Sequence, residues 1–256
     1  MMTRKIIYTV LALWLINLTA DSQSHSKRNS QFVTQTVQVS NFKGITILGS
    51  ADVLYKQTPG KQQVEIYASK NIINDVEVKE INGILTIQTK NKMHWFKNSR
   101  LEVRVCNPEI NSITINGSGD IRLLNGLKTT QDLMMRIKGS GDLYAKRLIS
   151  NKLDLSINGS GDMNLANIKA HTVLANIFGS GDITLTGEAY DVGLYSHGSG
   201  DIDATRLKGQ RVTSQINGSG DIDCYAVQHL NMRVNGSGDL NYKGHPKEVI
   251  SNKRKR

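Results

Sequence analysis

The sequence contains few of the residues that build disulfide frameworks, metal sites or deep aromatic cores. Its 256 residues include two cysteines and six histidines, and neither set has the spacing of metal ligands. Aromatic residues make up 5% of the chain, whereas glycine occurs 23 times, which favours a thin, regular core. No nucleophile elbow or phosphate loop is found either. We therefore predict no catalytic residues, no metal site and no cofactor, with calcium as the one alternative considered below.

The two cysteines, Cys106 and Cys224, leave two alternatives open. Exported proteins form disulfides, so a bridge between them is one alternative. Cys224 falls on an inward-facing position of the repeat described below, where a buried cysteine behaves as a small hydrophobic residue. We therefore expect two buried free thiols.

The N-terminus holds the one long apolar run. Arg4 and Lys5 precede an uncharged segment from Ile6 to about Leu18, and small and polar residues follow. This layout is typical of a secretory signal peptide, and the run is short for a membrane span. We predict a signal peptide over residues 1–22, with an uncleaved anchor helix as the alternative. The protein is then exported to the periplasm, the outer-membrane surface or the medium, with no membrane span after cleavage.

Positive charge is concentrated at the other end of the chain. The formal net charge is +10, and the basic tail over residues 251–256 contributes Lys253, Arg254, Lys255 and Arg256. The tail has no interleaved aromatic residues and no motif that reads bases. It therefore indicates a solvated end, and we expect no nucleic-acid partner.

The second half of the chain is organised by seven copies of the tetrapeptide GSGD. Successive copies start 22, 20, 20, 19, 20 and 18 residues apart. A period near twenty residues with a fixed corner indicates stacked coils. The copies begin at Gly117, Gly139, Gly159, Gly179, Gly198, Gly218 and Gly236.

Side chains alternate between apolar and polar around every copy. Positions two, four and six before the first glycine, and four and six after it, hold 35 residues, all apolar except Asn111, Ser196 and Ser214. Such alternation predicts strands with one buried face on both sides of each corner. Units of this length bury that face by stacking on one another, whereas a propeller blade needs about forty residues. The sequence thus predicts an all-β fold, a parallel β-helix with coils of about 20 residues.

We interpret GSGD as a structural corner. Glycine accepts positive φ, and Asp and Ser side chains hydrogen-bond the amides of a turn. Stacking aligns the aspartates, whose like charges need amides or cations nearby. Calcium-binding rolls repeat about every nine residues and supply more ligands per ion, so a cation ladder is the less favoured alternative. The predicted ladder consists of Asp120, Asp142, Asp162, Asp182, Asp201, Asp221 and Asp239.

The region before the repeats also has strand patterns. Residues 49–52 read GSAD, a degenerate corner, and Asn82-Gly83 between two alternating runs predicts a hairpin. We expect a strand-rich N-terminal cap here, with Trp95 and Phe96 in a loop that covers the open end or, alternatively, forms a binding tip. The predicted boundaries are a linker at residues 23–36 and one domain at residues 37–250.

The GSGD series, preceded by VSNFKGITILGSADVLYKQ and INGILTIQT, resembles the head GIN domain family, which is often described as an auto-transporter adhesin head domain and is typical of the Bacteroidetes. The resemblance covers about residues 37–250. It implies a right-handed β-helix and an exported, envelope-associated protein, and it brings no catalytic residues and no ligand.

Four outward positions on neighbouring coils break the polar pattern. Stacking in register places Phe178 beside His197 and Tyr195 within reach, which makes a candidate patch for a glycan or a surface protein. Ordinary cross-strand packing, or contact within a homo-oligomer, is the alternative. The patch consists of Leu174, Phe178, Tyr195 and His197.

Three function classes follow from these observations. The first is a non-catalytic, adhesin-like binding module of the envelope or cell surface, which is our prediction. The second is a carbohydrate-active enzyme, which needs two carboxylates in distinct environments. Asp203 and Asp223 are expected side by side, but they fit ordinary surface acids better. The third is a structural periplasmic interaction protein.

Overall fold

The computed structural model describes residues 32–90 and 101–252, and strands dominate both ranges. No helix within these ranges is long and apolar enough to cross a membrane. The predicted signal peptide, the loop with Trp95 and Phe96, and residues 253–256 of the tail lie outside the described residues.

The described residues form nineteen strands in one continuous sheet, with a short 3₁₀ turn at Ile73–Asp75. The first seven strands are β1 (Phe32–Val37), β2 (Gly44–Gly49), β3 (Asp52–Gln57), β4 (Gln63–Ser69), β5 (Val76–Ile81), β6 (Ile84–Thr89) and β7 (Leu101–Asn107). The others are β8 (Ser112–Gly117), β9 (Ile121–Leu123), β10 (Leu127–Lys128), β11 (Leu133–Gly139), β12 (Leu143–Ala145), β13 (Leu148–Gly159), β14 (Met163–Ile177), β15 (Ile183–Ser196), β16 (Ile202–Ile216), β17 (Ile222–Val234), β18 (Leu240–Lys243) and β19 (Glu248–Ser251).

From β8 onward the chain winds as a parallel β-helix. β14 pairs in parallel with β13 on one side and with β15 on the other, and β16 and β17 continue the series. Equivalent residues therefore lie above one another, as the inward position shared by Leu155, Ala175, Leu194 and Ser214 illustrates. The predicted fold of stacked coils with about twenty residues each is confirmed.

The inward side chains form one core along the axis of the coils. The position two residues before each corner is isoleucine in most copies, and Ile137, Ile157 and Ile177 are 0% exposed there. Burying such a side chain contributes roughly 1.5–3 kcal/mol. Ser196 takes this place in β15, and its hydroxyl donates to the Gly200 carbonyl oxygen at 2.9 Å, so the buried polar group is satisfied.

The N-terminal strands form the cap, in an order that the sequence does not reveal. β6 pairs in parallel with β2, and β7 with β3, so β6 and β7 form a layer beneath the β2–β3 coil. The opposite side of that coil pairs with β8 and β9. The first coil in sequence is thus enclosed between the cap and the GSGD coils, which confirms residues 49–52 as a corner.

Antiparallel strands complete the cap. β4 pairs with β7, and β5 forms a hairpin with β6. At its turn Asn82 has φ 51° and Gly83 has φ 78°, which is the geometry that Asn-Gly favours. The predicted hairpin is confirmed.

The predicted linker over residues 23–36 is wrong at its end, because Phe32–Val37 form β1. This strand pairs antiparallel with β4, and Val33 and Val37 pack against the core. Phe32 stacks on Tyr67 with ring centroids 5.4 Å apart. Residues 32–37 therefore form an edge strand whose valines contact the core. The domain includes residues from Phe32 onward.

The corners depend on the close approach of glycine backbones. A Cβ atom on either glycine of a GSGD copy would overlap the carbonyl oxygen of the residue below it, as for Gly161 over Gly141. The second glycine is buried in every copy. Positive φ, the reason expected from sequence, is found at the first glycine of the first three copies, for example Gly117 with φ 146°. The close approach of a carbonyl oxygen from the coil below is found in all seven copies, so it is the more general reason for glycine at these positions.

We expect Gly161→Ala to lower the free energy of unfolding by about 2 kcal/mol, because the added methyl group forces two coils apart. Ser160→Ala is the matched control in the same corner and should stay within about 0.5 kcal/mol, since Ser160 is exposed. Urea denaturation followed by circular dichroism measures both. Wild-type stability of Gly161→Ala would show that the corner relaxes and that close approach is not limiting.

Both cysteines are buried free thiols, as predicted. Burial raises the pKa of Cys224 from its ordinary value of 9.0 to about 11, although the neighbouring Ser214 hydroxyl partly opposes the shift. The thiolate is the reactive form of cysteine, so this thiol is inert near neutral pH.

We expect iodoacetamide at about pH 8 to modify neither cysteine in the folded protein and both in urea, as read by mass spectrometry. Because folding raises the Cys224 pKa, its contribution to stability is present below pH 9.0 and is lost as the pH rises toward about 11. Rapid modification of Cys224 in the native protein would contradict this assignment.

Candidate functional site

The aspartates of the corners form a hydrogen-bonded ladder. The Asp162 carboxylate accepts the backbone N–H of Asp182 at 2.8 Å, and Asp182 accepts that of Asp201 at 2.8 Å. The same bond, at 2.7–3.1 Å, joins every neighbouring pair from Asp52 to Asp239. The amides that stacking required are therefore supplied by the next coil, which supports the interpretation of GSGD as a structural corner.

Calcium finds few ligands at this edge. Each coil offers one carboxylate, and one oxygen of it already accepts an amide, whereas calcium takes six to eight oxygen ligands. Among residues 32–90 and 101–252, no group of three or more His, Cys, Asp or Glu side chains is placed to hold a metal.

Two variants of Asp162 separate the structural ladder from a cation site. Asp162→Asn keeps an oxygen acceptor for the Asp182 amide and should stay within about 0.5 kcal/mol of wild type, whereas Asp162→Ala should lose about 1 kcal/mol. Thermal melts with and without millimolar calcium should coincide. A calcium-dependent rise in melting temperature that Asp162→Asn abolishes would establish a cation ladder instead.

The structure arranges the four predicted patch residues as two pairs. The rings of Phe178 and His197 stack with centroids 4.8 Å apart and an angle of 3° between planes, as the register predicts. His197 Nδ1 also lies 3.0 Å from Asn217 Nδ2, so a ladder of planar groups continues along the coils. Leu174 and Tyr195 form the second pair, farther from the corner.

Tyr195 lies across Gly193. A methyl group on Gly193 would be 2.8 Å from Leu174 Cδ2 and 2.8 Å from Tyr195 Cε2, so both side chains occupy the space above this buried glycine. The Tyr195 ring therefore extends over Gly193 toward Leu174, while its register neighbour in β14 is Asn176. Only this second pair lines the groove described next.

A surface groove of about 370 Å³ crosses β14 to β19 on the face before the corners. Its floor follows one outward position through five successive coils, so it runs along the axis of the β-helix. The floor residues are Leu174, Gly193, Thr213, Asn231 and Ile250.

One wall of the groove is a row of paired charges. Arg211 binds Asp191 through two hydrogen bonds, Nε to Oδ1 at 2.6 Å and a terminal nitrogen to Oδ2 at 2.7 Å. His229 Nδ1 lies 2.9 Å from Glu248 Oε2. The guanidinium lowers the pKa of Asp191, and the carboxylate raises that of Arg211. The wall therefore combines a bidentate Arg–Asp ion pair with a contact between a histidine and a carboxylate.

The charged wall packs against the ring of Tyr190, which also stacks on His171. The Arg211 guanidinium lies 5.0 Å from the ring centroid of Tyr190, and the His171 ring stacks on the same tyrosine with centroids 5.3 Å apart. Held by Asp191 and Tyr190, the guanidinium has a fixed orientation, and three of its five N–H donors are not used by Asp191.

Sequence reasoning missed the charged wall and Gly193. Asp191, Arg211 and His229 each lie seven residues before a corner and are paired in register, and Glu248 follows them in the last rung. Charged residues are expected on an outward sheet face, so none of them stands out in the sequence. The sequence does contain one indication of Gly193. The equivalent outward position carries a side chain in the neighbouring coils, whereas this coil has glycine there.

The carboxylates Asp203 and Asp223 are neighbours in register, as expected. Asp203 accepts the backbone N–H and the hydroxyl of Thr205 at 2.9 and 2.8 Å, and Asp223 accepts Asn241 Nδ2 at 3.0 Å. They follow the corners and do not line the groove. Both act as hydrogen-bond acceptors on the surface of the sheet.

The family model described as "Putative auto-transporter adhesin, head GIN domain" matches residues 41–246. No match is found among curated proteins.

Several solved structures have the same fold. A "putative adhesin" from Parabacteroides distasonis superposes with a TM-score of 0.80 at 23% identity, covering 87% of this chain and 95% of its own. A "putative lipid binding protein" from the same species gives 0.78 at 24%, with 87% and 95% covered. A "putative adhesin" from Parabacteroides merdae gives 0.78 at 23%, with 87% and 94% covered. At these identities the likeness shows the fold alone.

Proposed function

Because this chain belongs to the head GIN domain family, we propose that it is an exported, non-catalytic, adhesin-like module that binds a ligand at the cell surface. The groove over β14 to β19 is the observation that carries the proposal. It combines an aromatic ring, amide and hydroxyl groups, and oriented charges on a rigid sheet face, which is the composition of a recognition site.

The geometry of the carboxylates disfavours an enzyme in this groove. Asp191 and Glu248 are three coils apart, about 14 Å at the usual strand spacing. Glycoside hydrolysis uses carboxyl groups roughly 5–9.5 Å apart, one of them with a raised pKa. Asp191 has a lowered pKa because of Arg211, which is the opposite of what a general acid needs.

We expect a membrane-impermeant amine reagent to label the protein on intact source cells, because lysines such as Lys146, Lys169 and Lys208 are exposed. A known periplasmic protein serves as the control and should stay unlabelled until the outer membrane is opened. Deletion of the gene should also reduce attachment of the cells to their natural surfaces.

Labelling that begins only when the outer membrane is opened would overturn the surface assignment. It would favour a structural periplasmic partner, for which deletion changes the envelope but leaves attachment unchanged.

A further inference from the structure

The dimensions of the groove suit a linear ligand that lies along the axis. Its floor spans four coil-to-coil steps, about 19 Å at the usual strand spacing. Each step brings one new floor position to the ligand, and from β15 onward each coil also adds one wall side chain. A ligand with a repeating unit of roughly the same step, about 4.8 Å, would place one unit over each new position.

One end of the groove is an apolar surface, and its middle is polar. The Tyr195 ring and Leu174 lie together over Gly193, while Thr213 and Asn231 supply an exposed hydroxyl and an exposed amide. Arg211 adds guanidinium donors whose orientation is fixed by Asp191. Apolar ring faces with a surrounding set of donors and acceptors fit a pyranose, which has a C–H face and a rim of hydroxyls.

A peptide strand would form few backbone hydrogen bonds in this groove. Peptides that bind sheets add a strand to an open edge and take their affinity from backbone hydrogen bonds. The groove lies instead on the face of β15, β16 and β17, each of which is paired with strands on both sides. No backbone groups of these strands are open at the face for a peptide to use.

A lipid chain and a polyanion also fit poorly. Burying an acyl chain against Thr213, Asn231 and the charged wall would desolvate polar groups without partners. A polyanion needs a surplus of basic groups, whereas the wall carries two carboxylates, Asp191 and Glu248, beside the guanidinium of Arg211.

We propose that the groove over β14 to β19 binds a neutral oligosaccharide of about four residues along the β-helix axis, with one sugar ring packed on Tyr195. The inference rests on the proposed binding function and names its ligand class. Tyr195 is the anchor, Thr213, Asn231 and Arg211 bind hydroxyls, and Gly193 positions the tyrosine ring.

The test uses saturation-transfer difference NMR of the purified protein with maltotetraose, cellotetraose, chitotetraose and mannotetraose. At least one should bind, and Tyr195→Ala should weaken that binding at least tenfold. Phe178→Ala is the matched control, because Phe178 is exposed on the same face but does not line the groove, and it should stay within about twofold. Gly193→Ala should weaken binding while the fold persists by circular dichroism, since it displaces the ring.

Several outcomes would overturn the inference. They are equal binding by wild type and Tyr195→Ala, a greater loss in Phe178→Ala, no binding of any of the four sugars, or binding of phosphatidylcholine vesicles or heparin in their place. The surface proposal fails independently: glycan binding by a protein that is labelled only in opened cells would retain the ligand class and remove the adhesin function.

Discussion

At each corner, the carbonyl oxygen of a glycine in one coil occupies the space where the next coil's glycine would carry a Cβ atom. The oxygen of Gly139 accepts the backbone N–H groups of Ser160 and Gly161 at 2.9 and 3.2 Å, and the aspartate beside them adds a third bond between coils. These contacts fix the distance and the register of neighbouring coils. Everything else follows from that register, because inward side chains then stack into one core and outward side chains into straight rows.

This dependence explains how much of the fold could be read from the sequence. The period of the corner and the alternation beside it are local patterns, so they predict the coils and the inward residues directly. The order of the cap depends on long-range pairing: β2 pairs with β6 on one side and with β8 on the other, although the partners in β2 and β8 (Gly44 and Ser112, for example) are 68 positions apart. Nothing in the local pattern of β2 specifies those partners. The degenerate corner still accepts the coil above it, because the Ala51 carbonyl oxygen lies where a Cβ atom on Gly119 would be.

The candidate site follows the same rule. Phe178 and His197 precede their corners by one residue, and the stacking expected between them is present. Arg211 and His229 each lie seven residues before their corners and pair in register, so counting back from the corner aligns them. Charged residues are nevertheless what an outward sheet face is expected to carry, so they give no signal in the sequence. The apolar end of the groove breaks the polar pattern and was predicted, whereas the charged wall matches that pattern and was missed.

The corners are uniform, so any specificity must come from outward positions that differ between coils. Gly193 and Tyr195 are such a combination within one strand. At the equivalent of Gly193 the preceding coils carry Asp154 and Leu174, and the next carries Thr213. A side chain of any of these types at position 193 would hold the tyrosine ring away from the sheet, because even a methyl group there would lie only 2.8 Å from the ring. A flat aromatic surface can therefore form at this coil and not at its neighbours, which gives a repetitive solenoid a single, defined place to bind.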